Sequence, residues 1–317
     1  MIVLVKFNKR DLEEKANEYG FVRDTLEKIY RLVEILEYLF ENPQLKNRLA
    51  LKGGTAINLC LLKLPRLSVD IDLDYTGNVG KESMMKERKA IKDDITTFMN
   101  TQGYEISPKT RSSHSLSSFV FAYENAGGNK DLIKVEINYS LRAHVLNPEY
   151  QNIIVDLFSA SKQLRILNRI EIIAAKITAL FNRLAIRDLY DIGNIIEKEM
   201  IAEKNKSLLK KLIVFYHALT AADVYSELNT DNINNFSSNH VRTDLRPVLR
   251  SDDSFNLEDT QSRVKHFLEE LVVLSPKEKK FLVEFQRNKY KPDLLFSDAE
   301  ILSRINNHPM AIWRTKE

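Results

Sequence analysis

Apolar positions recur at helical spacing over 21–41, where Leu26, Ile29, Val33, Leu36 and Phe40 fall on one face and Asn42-Pro43 closes the segment. Gly53-Gly54 then breaks the chain ahead of a short apolar stretch, 55–64, which predicts a helix stopping at Pro65. The period changes at SVDIDLDYTG, 68–77. Apolar and acidic residues alternate strictly there and end in a turn signal, which predicts a strand. The charged stretch 82–100 reads as helix, and 104–106, 117–123 and 132–139 read as strands joined by polar loops, including 125–129. Beyond about 160 the helical period predicts helices at 163–183, 188–202, 207–222, 260–274, 276–289 and 297–306, with polar connections at 229–240 and 251–259. No internal repeat appears. The expected fold class is α+β: a domain over 1–158 with a mixed β-sheet flanked by helices, followed by an all-helical domain over 159–317.

Composition agrees with two globular domains. The chain has 317 residues, 44% hydrophobic and 29% charged, enough to bury a core. Nine glycines and eight prolines are too few for a Gly-rich β-sandwich or a low-complexity protein. The 47 basic and 44 acidic residues leave a net charge of +3, spread evenly enough to exclude a polybasic protein that coats DNA. The single cysteine, Cys60, lies in the apolar run 57–62 and reads as a small buried hydrophobe, and no Cys/His cluster has zinc-site spacing. The start of the chain, MIVLVKFNKRDLEE, has too short an apolar stretch for a signal peptide, and no run approaches the ~18 apolar residues of a membrane span. A cytoplasmic protein with no membrane partner is expected.

Candidate chemistry starts from the alternating strand. Asp70, Asp72 and Asp74 share one face there while Ile71, Leu73 and Tyr75 share the other. Adjacent carboxylates repel unless they are solvated or neutralised, and oxygen ligands on a rigid strand suit Mg²⁺. A solvent-facing edge strand would show the same alternation, so the pattern alone leaves both readings open. Upstream, Gly53-Gly54-Thr55 opens a helix and could bare backbone N–H groups to a phosphate, or Thr55 could simply cap the helix. In KVEINYS, Lys134, Glu136 and Asn138 face one way; beside the first strand, Glu136 would join Asp70 and Asp72 around two cations. Lys162, Arg169, Lys176 and Arg183 are spaced by seven and would form one basic stripe on the 163–183 helix, with Lys176 set among Ile173, Ala174, Ile177 and Leu180 and aimed at an anion. Asp188 reads equally as a helix cap or a site acid, while Asp191 reads as structural. Lys109, Arg111, Ser112, Ser113 and His114 form a polar loop that could meet phosphates or only solvent. No nucleophile elbow, Walker A loop, dinucleotide fingerprint or histidine dyad is present.

Gly-Gly-Thr, a helix, D-x-D and a later acidic strand, in that order, resemble the DNA polymerase β-like nucleotidyltransferase superfamily. More narrowly, LKGGTAINL, RLSVDIDLDYTG and EIIAAKITALFNRLAIRDLYDI resemble the AbiEii-type abortive-infection nucleotidyltransferases, the toxins of type IV toxin–antitoxin systems, over about 50–200. The resemblance implies a nucleotidyltransferase-like first domain and a helical domain that completes the cleft. Asp70, Asp72 and Glu136 would hold two Mg²⁺ ions, and Gly53, Gly54, Thr55 and Ser68 would bind the NTP. Lys176 would meet the triphosphate, with Asp188 in support. The implied reaction transfers NMP to an RNA acceptor, a tRNA 3′ end, releasing pyrophosphate, and the implied protein partner is a cognate antitoxin. Transfer to a protein hydroxyl and a non-catalytic nucleotide- or partner-binding module are the alternatives.

Overall fold

Two helices open the described chain, α1 (Lys9–Tyr19) and α2 (Arg23–Glu41). The Asn8 side chain caps α1 and Gly20, in the left-handed region, ends it; α1 buries only Leu12 and Ala16, too thin a stripe to stand out in the sequence. On α2 the expected face is buried, reinforced by Leu32, Ile35 and Leu39. The computed structural model describes residues 8–158, 163–224 and 228–316. The chain divides into a first unit of Met1–Arg142, Glu149–Ile166 and Pro247–Asp253 and a second of Ala143–Pro148, Leu167–Arg246 and Ser254–Glu317.

The first unit is built on an eight-stranded mixed sheet. Its elements are β1 (Leu49–Leu51), α3 (Gly53–Ala56), β2 (Asp70–Tyr75), α4 (Lys81–Thr101), β3 (Glu105–Ile106), β4 (Arg111–Ser112), β5 (Leu116–Glu124), β6 (Lys130–Asn138), β7 (Glu149–Asn152) and β8 (Gln163–Ile166). The strand order is β3-β5-β6-β2-β1-β8-β7, with β4 paired to β5. β2 runs parallel to β6 and antiparallel to β1, which puts the acidic strand inside the sheet and overturns the edge-strand reading. Its apolar face, Ile71, Leu73 and Tyr75, is fully buried, as are Ile133, Val135 and Ile137 on β6; α2 packs against β2 and β8. Arg88 of α4, itself buried, donates to the carbonyls of Ser113, His114 and Leu116 and to the hydroxyls of Ser112 and Ser117, so the predicted basic loop is a pinned hairpin.

Two expected elements change. The helix expected over 55–64 starts earlier: Gly53 and Gly54 form its first turn, Lys52 is the N-cap, and a π-turn, Ile57–Leu61, completes it. Thr55 is therefore not the cap. The helix expected over 163–183 starts only at Arg169, because Gln163–Ile166 pairs as a strand with β7 and β1, turning Leu164 and Ile166 into the core. The seven-residue stripe is thus not one helix face. Lys162 lies outside the described residues, Arg169 opens α5 (Arg169–Asn182) and Arg183 is its C-cap.

The second unit is helical: α5, α6 (Ile186–Glu197), α7 (Glu203–Thr220), α8 (Ser238–His240), α9 (Leu257–Leu271), α10 (Pro276–Gln286), α11 (Ala299–Ile305) and α12 (Pro309–Arg314). α5 is apolar nearly all round, as a central helix must be, and packs on α6 and α7. Its buried Glu171 accepts from the N–H groups of Val145 and Leu146, at 3.0 and 2.9 Å, and from the Tyr216 hydroxyl. Those bonds explain why Ala143–Pro148, which follows the sheet strand β6, belongs to the helical unit.

Candidate active site

Alternation along β2 and β6, with the register between them, builds an acidic face. In the parallel ladder Asp70 stands opposite Lys134, Asp72 opposite Glu136 and Asp74 opposite Asn138, while Ser118 of β5 stands opposite Glu136 on the far side. Asp70, Asp72, Lys134 and Glu136 are half-buried and Asp74 is buried. Burial pushes the Asp72 carboxyl above the ordinary carboxylate range; Asp70 and Glu136 add to this, and Lys52 and Lys134 oppose it. Half-buried acids clustered on interior strands are costly as pure structure, which marks the face as a candidate site.

Two lysines that sequence reasoning did not single out balance part of this charge. Lys52 Nζ lies 2.5 Å from Asp74 Oδ1, and Lys52 N donates to Asp72 O at 2.9 Å, so the third alternating acid ties α3 to β2. Lys134 Nζ lies 2.9 Å from Glu136 Oε2. Alternation had placed Lys134 beside Glu136, but nothing in the sequence signalled Lys52. Among the described residues, no three His, Cys, Asp or Glu side chains stand gathered as a metal site; Glu136 turns to Lys134 instead. The donor set itself, hard carboxylate oxygens on neighbouring strands, two of which help raise the proton affinity of Asp72, is the chemistry a divalent cation relieves.

The Gly-Gly-Thr turn is joined to this face. Gly53 has φ 69°, and a Cβ there would lie 2.7 Å from Asp72 Oδ2. At Gly54 a Cβ would meet Arg66 Nη2 and Ser68 Oγ, each at 2.8 Å. Thr55 is buried; its hydroxyl donates to the Asp70 carbonyl at 2.5 Å and hydrogen-bonds Ser68 Oγ at 3.0 Å. Gly53, Gly54, Thr55, Ser68, Asp70 and Asp72 are therefore one cluster, with Thr55 fastening the turn to the start of β2. Gly53→Ala should strain the turn by about 1–2 kcal/mol and displace the Asp72 carboxylate. The expected outcome is a protein that folds, by circular dichroism, with any activity that depends on the Asp72 carboxylate lowered at least about a hundredfold.

In the second unit, Lys176 is buried and shared by two acids: Nζ is 2.7 Å from Asp188 Oδ1 and 2.8 Å from Asp191 Oδ2. Arg183, with its side chain 66% exposed, adds Nε at 3.0 Å from Asp188 Oδ2. Asp188 does not cap α6. Ala185 is the N-cap, and Asp188 lies in the first turn with its carboxylate given to the two cations. Asp191 is an equal partner of Lys176. The apolar neighbours expected around Lys176, including Ile173, Ala174, Ile177 and Leu180, are buried.

The family profile described as nucleotidyl transferase AbiEii toxin, type IV toxin–antitoxin system, matches residues 34–284. Among solved structures, MenT4, a nucleotidyltransferase toxin from Mycobacterium tuberculosis H37Rv, is similar with a TM-score of 0.63 at 17% identity, over 96% of this chain and 99% of that one. A crystallised H. pylori protein assigned as a nucleotidyltransferase is similar with a TM-score of 0.51 at 16% identity, over 80% and 96%. At these identities the likeness is one of fold. Comparison with curated protein sequences finds no match.

Proposed function

Because the chain belongs to the AbiEii family of nucleotidyltransferase toxins of type IV toxin–antitoxin systems, we propose that it transfers NMP from an NTP to an RNA hydroxyl, a tRNA 3′ end, and releases pyrophosphate. The observation that carries the reading is the register of Asp72 opposite Glu136 with the Gly53 turn packed on the Asp72 carboxylate. Asp70, Asp72 and Glu136 would hold Mg²⁺, as two ions. Bound there, Mg²⁺ supplies Lewis acidity toward the acceptor hydroxyl and the phosphates. Gly53 and Gly54 let the backbone approach the β- and γ-phosphates, while Thr55 and Ser68 hold that turn against β2. The acceptor oxygen bonds to the α-phosphorus as the bond to the β-bridging oxygen breaks, its proton passing to a carboxylate of the face. Lys176 offsets charge on the departing pyrophosphate, with Asp188 and Asp191 fixing its ammonium. The division of labour proposed puts the carboxylates and the Gly-Gly-Thr turn in 1–158, and Lys176 with acceptor binding in 159–317, with an antitoxin as protein partner. No helix among the described residues is long and apolar enough to cross a membrane.

Incubation with each labelled NTP, total cellular RNA and total protein, in parallel with Asp72→Ala, tests the acceptor. Label entering RNA and absent with the variant is the expected result. Label in protein bands would replace the acceptor, and nucleotide binding without incorporation would leave a binding module.

A further inference from the structure

Four carboxylates of the acidic face, Asp70, Asp72, Asp74 and Glu136, stand with the ammonium groups of Lys52 and Lys134. The two pairs differ in kind. Lys52, 24% exposed, is held by Asp74, whose side chain is 2% exposed, so that pair anchors α3 to β2 on a buried acid. The Lys134 side chain is 39% exposed and that of Glu136 24%, so this pair can open without uncovering the core. Lys134 also stands opposite Asp70 in the ladder, so it adjoins that acid as well as Glu136.

We propose that Lys134 is a built-in counter-ion: its ammonium holds Glu136 while the face carries no divalent cation, and the first cation to bind takes Glu136 from Lys134, which swings to solvent. The inference rests on the metal reading above and adds a competition that sets how tightly the face binds. A cation on the face and the Lys134 ammonium repel one another and compete for the negative charge of Glu136, so metal affinity is lowered by whatever the 2.9 Å pair is worth. Without Lys134, Glu136 would face Asp70 and Asp72 with no cation of its own and would repel them, so the pairing also preserves the face before metal arrives.

The test is Mn²⁺ binding followed by the loss of the free-ion electron paramagnetic resonance signal, with no nucleotide or acceptor present. Lys134→Met should bind Mn²⁺ about tenfold more tightly than wild type, the scale of one unit charge acting across a partly buried site. Lys134→Arg, which keeps the charge and the pairing, should stay near wild type. In a Glu136→Gln background the gain from Lys134→Met should largely vanish, because the competition acts through that carboxylate. Unchanged or weaker binding in Lys134→Met, or an equal gain in both backgrounds, overturns the counter-ion role while the metal site stands. Mn²⁺ binding that is absent from wild type, or that survives Asp72→Asn undiminished, overturns the metal reading and this inference with it.

Discussion

Asp72→Asn is expected to reduce nucleotidyl transfer by about a thousandfold or more while raising the melting temperature of the metal-free protein at neutral pH. The loss follows from position, since this carboxylate touches the Gly53 turn on one side and faces Glu136 on the other. The gain follows from linkage. In the unfolded chain an aspartate ionises near the ordinary value of about 3.9. Folding buries Asp72 beside Asp70 and Glu136, and despite Lys52 and Lys134 its proton affinity rises. Between the unfolded and folded values the native state holds more protons, so stability falls as pH rises through that window, and the full cost persists above it. Asparagine has the same shape without the charge and escapes that cost. Melting curves in chelator should show the variant above wild type at pH 7, with the gap closing below about pH 4. A variant that is less stable at pH 7, or that retains transfer, would contradict this account of the face.

Lys176→Met is expected to destabilise the second unit by about 3–5 kcal/mol, the usual cost of removing one partner from a buried ion pair. Asp188 and Asp191 are 1% and 0% exposed, and the substitution takes away the ammonium they share. Arg183 still reaches Asp188 but cannot replace Lys176, because its side chain is largely in solvent and surface pairs contribute about 0–1 kcal/mol. Arg183→Ala should therefore move the urea midpoint little. Equal shifts for the two variants would show that the Lys176 cluster is not the buried junction between α5 and α6 that these distances describe. At a temperature where Lys176→Met remains folded, low transfer is the outcome expected if Lys176 has the phosphate role proposed for it.

Residues whose role depends on local pattern were legible in the sequence. DIDLDY alternates so strictly that strand, faces and acids all follow, and KVEINYS supplies a second strand whose Glu136 falls on the matching side. That the two strands are parallel neighbours, and that β2 is interior, depends on chain topology and could only be conditional. The failures share a cause. Gln163–Ile166 continues into LNRIEII with apolar residues at both strand and helix spacing, and only pairing with β1 and β7 decides for strand. β1 has three residues, too few for any period to declare itself. Asp188 carried an N-cap signature, yet a buried lysine one helix earlier claimed its carboxylate. Lys52 could not be foreseen, because its partner Asp74 is fixed by the antiparallel register of β1 and β2.

The most direct measurement of the central claim follows the two ends of one nucleotide. NTP labelled at the α-phosphate and, in parallel, at the γ-phosphate is incubated with protein, Mg²⁺ and RNA, and the RNA is separated from small products. Nucleotidyl transfer at the β2–β6 face predicts α-label kept on the RNA, γ-label released as pyrophosphate, and neither event with Asp72→Asn. Retention of γ-label on the acceptor, or α-label transfer that survives in Asp72→Asn, would contradict it.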